Sequence, residues 1–208
     1  MITVVITSYH YGHLIAHALE SVLAQTRLPD DIILVDDGAH DGVDIIGEKY
    51  GIRTVLREQN MGIVSNFNDV LYNHVKTDKV LFLGADNWLR PDALEKMDKP
   101  FDIVSTDIGI TGDQAKQFAR SRANEYENGV YNWRFQPGNI NGGNYIHGSS
   151  LYSTDLARAV GGYLRSGNRN SEEDWMLWKR MLHNGATHTH VPEPLLLYRR
   201  HRFNFQKY

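Results

Sequence analysis

Apolar residues fall in short runs that alternate with stretches of helical spacing. Ile2 to Ile6 is an unbroken β-branched run, the mark of a strand buried on both faces. Leu14, Ile15, Ala18, Leu19, Val22 and Leu23 then recur at helical intervals. Ile32 to Val35 is a second buried run, cut off by Asp36, Asp37 and Gly38, so the chain turns as it leaves the strand. Thr54 to Leu56 reads as a third strand. A helical pattern on Ile63, Phe67, Val70 and Leu71 leads into Val80 to Leu83, which stops at Asp86 and Asn87. Strand and helix repeated in this way predict an α/β fold with a mostly parallel central sheet and helices on both faces.

The second half is less regular. Phe101 to Thr106 reads as a strand, whereas Gly138 to Gly148 is rich in Gly and Asn and lacks apolar periodicity, as expected of a connector, a lid or an acceptor-binding loop. Small residues in that loop let backbone approach a ligand closely. From Asp174 onward, Trp175, Met176, Trp178, Met181 and Leu182 form an amphipathic helix closed near Asn184 and Gly185. A last strand, Leu195 to Tyr198, opens onto Arg199, Arg200, His201 and Arg202.

In open parallel sheets ligands gather outside the carboxyl ends of the strands. Three strand ends here carry polar clusters: Thr7, Ser8 and Tyr9; Asp36 and Asp37; Asp86 and Asn87. Asp and Asn also begin turns and cap helices, so each cluster has a purely structural reading as well.

Composition narrows the partners. A formal net charge of -3 gives no global positive field to recruit nucleic acid. No cysteine is present, which removes disulfides, thiolate metal sites and a Cys nucleophile. The chain of 208 residues supports one good core, so one domain is expected. No run approaches the ~20 apolar residues of a membrane span. The N-terminus also lacks a basic stretch and a long apolar segment, so the expectation is a cytoplasmic protein, free or peripheral to a membrane.

The ordered motifs resemble those of inverting GT-A glycosyltransferases of the family-2 type, over nearly the whole chain. The resemblance is carried by Val4 to Tyr9, by Ala18 to Thr26, and by Ile33 to Gly38. It continues through Asn60-Met61-Gly62 with Asn66 to Asn68, Gly84-Ala85-Asp86-Asn87, Glu172-Glu173-Asp174-Trp175 and Tyr198-Arg199-Arg200-His201. It implies a GT-A fold, Rossmann-like, with a nucleotide-binding half over residues 1–100 and an acceptor-binding half over 101–208. The Gln-x-x-Arg-Trp element of processive polymer synthases is absent, so a single-transfer enzyme is expected.

Carried over position by position, the resemblance makes Thr7, Tyr9, Asp37, Asn60, Asp86, Asn87, Gly148, Ser149 and Arg200 donor-binding residues. A carboxylate at Asp37 suits the N3 proton of uracil, and the Tyr9 ring suits the face of a base. Asp86 and His201 are the implied ligands of Mn²⁺ or Mg²⁺, with diphosphate oxygens and water completing the shell. His188 and His190 are lesser alternatives, because nothing beside them matches a motif. Asp174 is the implied general base, and its place at a helix N-terminus is expected to favour the ionised form.

Two positions depart from the pattern: Ala85 stands where a first metal-motif Asp is usual, and no Arg occurs near Phe67. The expected function is transfer of a sugar from a nucleoside-diphosphate sugar, UDP-sugar above others, to a glycan or other hydroxyl acceptor by metal-assisted single displacement with inversion. The two departures motivate an alternative, a degenerate nucleotide-sugar-binding protein. A nucleotidyltransferase lacks support because no Gly-rich basic loop follows the first strand, and a dinucleotide dehydrogenase because no Gly-x-Gly-x-x-Gly does.

Overall fold

The structure is a computed structural model that describes residues 1–119, 125–127, 129–164, 172–202 and 204. In chain order the elements are β1 (Ile2–Ser8), α1 (Gly12–Leu23), β2 (Asp31–Asp36), α2 (Val43–Tyr50), β3 (Arg53–Leu56), α3 (Ile63–Asp69), β4 (Lys79–Gly84), β5 (Trp88–Leu89) and α4 (Ala93–Met97). There follow β6 (Ile103–Thr111), α5 (Ala115–Ala119), β7 (Glu125–Glu127), β8 (Val130–Trp133), β9 (Leu151–Ser153), α6 (Thr154–Ala159), α7 (Glu173–His183) and β10 (His188–Arg199).

One sheet joins both halves, in the order β3-β2-β1-β4-β9-β6-β10-β5, with the hairpin of β7 and β8 attached to β6. The long ladders, β2 and β4 on β1, β3 on β2 and β10 on β6, are parallel. Antiparallel pairing is confined to short ladders such as those of β9 with β4 and β6. The expected mostly parallel sheet therefore holds for its long ladders, and the short β9 reverses direction at the join between halves.

The strand period of two explains the two-sided core. Ile2, Val4 and Ile6 of β1 pack with Ile15, Leu19 and Val22 of α1 on one face. Val5 joins Ile33 and Val35 of β2, Phe82 of β4 and Trp178 and Met181 of α7 on the other. Helix α1 buries positions 15, 18, 19 and 22, one stripe at helical spacing. Helix α3 runs on through residues 70–74 in a wider turn, closed by Val75 N donating to Val70 O at 3.0 Å.

Several expected boundaries move. The strand expected from Phe101 starts at Ile103 and reaches Thr111, because its polar end is buried: Ser105, Thr106 and Asp107 lie within the sheet. The strand expected over Leu195 to Tyr198 spans His188–Arg199, with register shifts around Pro194. The Gly138 to Gly148 loop contains no helix or strand, yet it is pinned by buried Ile140 and Ile146 and by Trp175 Nε1 donating to Ile140 O at 2.6 Å. It is a packed loop, so the lid reading gains nothing from the fold.

Candidate active site

Parallel strands β2, β1 and β4 end side by side, and their ends open into a cavity of about 720 Å³. Thr7, Tyr9, Asp37, Asn60, Asp86, Asn87, Gly148, Ser149 and Asp174 all line it. The nine positions come from segments up to 167 residues apart in a chain of 208, and the fold brings them to one place.

At the end of β2 two adjacent carboxylates take different tasks. Asp36 accepts from the backbone N–H of Ala39 at 2.8 Å and of His40 at 2.7 Å, so it caps its own turn. Asp37 faces the cavity, where it accepts from Met61 N at 2.9 Å and from Asn60 Nδ2 at 3.1 Å. Burial pushes its carboxyl up, against the backbone hydrogen bonds from Met61 and Gly62. Gly38 makes this possible: it sits at φ +83°, and a Cβ there would lie 2.3 Å from the Gln59 carbonyl carbon. Asn60 thus positions Asp37 as well as lining the cavity.

At the end of β4, Asp86 is largely buried, and burial pushes its carboxyl above the usual range while neighbouring His201 draws it down. Asn204 Nδ2 lies 2.9 Å from Asp86 Oδ2 and 3.1 Å from His201 Nε2, and these two atoms are 3.4 Å apart. A carboxylate oxygen and an imidazole nitrogen thus converge on one donor, the arrangement a divalent cation requires of its ligands. Among the described residues no group of three or more His, Cys, Asp or Glu side chains could hold a metal. Asn87 Oδ1 accepts Arg199 N at 3.0 Å, tying this corner to β10. Ala85 is packed in the core, and Phe67 stacks on Phe82 at 4.6 Å, so both departures from the family pattern are filled by apolar packing.

Neither Arg200 nor His201 is among the residues that line the cavity, although His201 contacts Asp86, which does. The Arg200 guanidinium lies 4.2 Å from the Phe118 ring centroid and donates to the Tyr198 hydroxyl at 3.3 Å. His188 and His190 bond Ser105 Oγ at 2.8 and 2.9 Å, and His190 also bonds Asp107 at 2.9 Å. Neither is paired with Asp86.

Asp174 stands at the start of α7. Its Oδ1 accepts from Trp175 N at 2.6 Å and from Asn144 Nδ2 at 3.4 Å. Burial, aided by the neighbouring charge of Glu173, pushes its pKa up to about 7. The expectation that the helix start would favour the charged form is corrected here, because desolvation outweighs the two hydrogen bonds. A proton acceptor poised near neutrality is the better general base. Gly148 packs directly against it: a Cβ there would stand 3.3 Å from Asp174 Oδ2.

Among the other lining residues, Glu173 and Tyr198 stand in the quoted motifs and His147 in the Gly-rich and Asn-rich loop, whereas Phe118, Trp133 and Phe135 were missed in the sequence. Phe118, Trp133, Phe135 and Tyr198 form an aromatic wall, and His147 and Glu173 add buried polar atoms. The alternation of Tyr131, Trp133 and Phe135 was the available signal, an aromatic on every second residue through β8 and just past its end.

A sheet of this order, with carboxylates gathered at the ends of its parallel strands, is the architecture of the GT-A sugar transferases. The profile of Glycosyl transferase family 2 matches residues 3–161, and the chain belongs to that family of transferases. It is 22% identical to the putative glycosyltransferase EpsE of Bacillus subtilis over 93% of this chain and 71% of that one. It superposes on S. aureus TarS 1-349 in complex with UDP-GlcNAc with a TM-score of 0.72 at 17% identity, over 97% of this chain and 59% of that one. A mannosyltransferase from Pyrobaculum calidifontis, PcManGT, in complex with GDP-Man and Mn²⁺, superposes with a TM-score of 0.66 at 14% identity, over 98% and 58%. The chain thus spans less than two thirds of those two solved structures, whose likeness establishes the fold. No helix among the described residues is long and apolar enough to cross a membrane.

Proposed function

We propose that the chain transfers a sugar from a nucleoside-diphosphate sugar, with UDP as the preferred nucleotide, to an acceptor hydroxyl by single displacement with inversion. The observation that carries this reading is that Asp37, Asp86 and Asp174 line one cavity, each held differently. In it, residues 1–100 bind the nucleotide and residues 101–208 the acceptor.

Asp37, fixed by Asn60 and Met61, accepts the N3 proton of uracil, and Tyr9 offers its ring to the base. Asp86 and His201 would hold Mn²⁺ or Mg²⁺. Their hard oxygen and imidazole nitrogen fit such an ion, and a cation beside Asp86 would offset the burial that pushes its carboxyl up. When bound, the ion supplies Lewis-acid stabilisation of the diphosphate leaving group. Asp174 takes the proton from the acceptor hydroxyl as its oxygen bonds to the anomeric carbon. The bond from that carbon to the diphosphate oxygen breaks, the nucleoside diphosphate departs with the electron pair, and Asp174 later yields its proton to solvent.

The test is a thermal-shift series with UDP, GDP, dTDP and CDP, each with EDTA, Mg²⁺ or Mn²⁺. The expected result is stabilisation by UDP that needs the metal and disappears in Asp86→Ala. Stabilisation by none of the four at millimolar concentration refutes the donor site. Donor binding without turnover of any UDP-sugar, even by slow hydrolysis, would favour the degenerate binder suggested by Ala85.

A further inference from the structure

A third residue stands between the two expected metal ligands. Asn204 lines the cavity beside Asp86, whereas His201, three residues earlier in the chain, does not. Two bonds join residues 201 and 204: Asn204 N donates to His201 O at 3.1 Å, and His201 N donates to Asn204 Oδ1 at 2.6 Å. The second bond fixes the orientation of the side-chain amide. A backbone N–H can only donate, so the amide atom it reaches is the oxygen. The amino group of Asn204 is thereby aimed at Asp86 Oδ2, 2.9 Å away, and at His201 Nε2, 3.1 Å away.

An amide nitrogen only donates, so His201 Nε2 meets it as an acceptor, and the proton of the neutral imidazole sits on Nδ1. That is the tautomer in which Nε2 ligates a cation. Tyr11, another cavity-lining residue, stands edge-on to the same ring, with 5.4 Å between centroids. Nε2 has a single lone pair in the plane of the ring. It is given either to Asn204 or to an ion, never to both. Asp86 Oδ2 has lone pairs to spare, so the exclusion runs through His201 alone.

We propose, resting on the metal reading above, that Asn204 is the placeholder of the cation site. Its amino group holds the carboxylate and the imidazole together until a divalent ion takes its place, and His201 becomes a ligand only once Asn204 has let go. One planar group makes both side-chain bonds, so an amide that swings off Nε2 also leaves His201 N, and the link between residues 201 and 204 opens. Entry of the ion and loosening of the chain just after β10 are therefore one event.

The experiment measures Mn²⁺ binding by the full chain from the loss of the free-ion EPR signal, alone and with UDP, and follows trypsin cleavage by mass spectrometry. Asn204→Ala is expected to bind Mn²⁺ about fivefold or more tightly than the wild type, since no side-chain bonds have to be broken first. The gain should vanish against a His201→Ala background, where there is no lone pair to compete for. In the wild type, Mn²⁺ should speed the cut after Arg202 relative to the cut after exposed Lys76. In Asn204→Ala the cut after Arg202 should already be fast without the ion. Equal or weaker Mn²⁺ binding by Asn204→Ala overturns the inference, and if Asp86→Ala still abolishes binding, the metal reading stands without it. A gain that survives His201→Ala, or a cut after Arg202 that Mn²⁺ leaves unchanged, overturns it as well. No Mn²⁺ binding by wild type or Asn204→Ala, with or without UDP, sinks the metal reading and the placeholder together.

Discussion

Asp174→Asn should inactivate the enzyme and stabilise the fold, and the second effect should depend on pH. The folded carboxyl is raised from 3.8 to about 7 by burial and by Glu173. A carboxyl with a raised folded pKa favours the folded state when protonated, so its contribution is lost as pH rises from about 4 through about 7. A shift of ~3 units at 1.36 kcal/mol each places about 4 kcal/mol of cost on the ionised form at pH 8. Asn carries no charge at any pH, and its side-chain oxygen can still accept from Trp175 N. The variant should therefore match the wild type near pH 4 and exceed it at pH 8, by on the order of 10 °C in Tm for a domain of this size. Paired urea melts at pH 4, 6 and 8 measure the difference, in which the raised carboxyls Asp37 and Asp86 cancel, whereas Glu173, also pushed up by burial and adjacent to Asp174, does not. Turnover of a UDP-sugar should fall ~10²-fold or more while UDP binding persists. In the wild type kcat/KM should decline about tenfold per unit of pH below about 7. A constant stability difference across the three pH values, or equal turnover, refutes the assignment.

Gly148→Ala brings a Cβ to 3.3 Å from Asp174 Oδ2 and should lower kcat while sparing UDP binding, which steady-state kinetics with a thermal-shift control would resolve. Gly38→Ala forces a methyl against the Gln59 backbone at positive φ; it should cost about 2 kcal/mol or more in a chemical melt and loosen Asp37 enough to abolish the UDP shift. Asp37→Ala should erase the preference for UDP over CDP in competition binding, since the acceptor for the base N–H is gone. Trp178→Ala, fully buried one turn along α7 from Asp174, should destabilise by about 3–5 kcal/mol in a chemical melt.

Much of the first half was legible because its physics is local. The run from Ile2 to Ile6 is apolar on both faces since β1 has a strand on either side and helices above and below. The turn residues that end β2 and β4 carry the same carboxylates that line the cavity. Asp37 was told apart from Asp36 only through the resemblance, because which carboxylate faces the cavity depends on the pairing of Asp37 with the Asn60 turn. The later half was harder to read. Strand β6 buries Ser105 and Asp107 against histidines some 83 residues away, so its polar residues masked a buried strand. The fate of Arg200 depended on Phe118, a residue that no pattern joined to it. Charge near a motif is visible in a sequence; the ring that claims it is not.

The place of β10 between β6 and β5 has a kinetic consequence. The strand that leads to His201 pairs with Leu89 at Leu196, over a hundred residues on, so the Asp86 corner cannot be completed until that closure has been made. Such distant closures form late and slowly in folding. A nascent chain can therefore assemble β1 to β4, with the Asp37 pocket, well before it owns an imidazole beside Asp86. Because UDP binding is expected to need a metal held at Asp86 and His201, that early sheet does not yet hold the nucleotide, and a refolding experiment should find UDP protection and turnover appearing together.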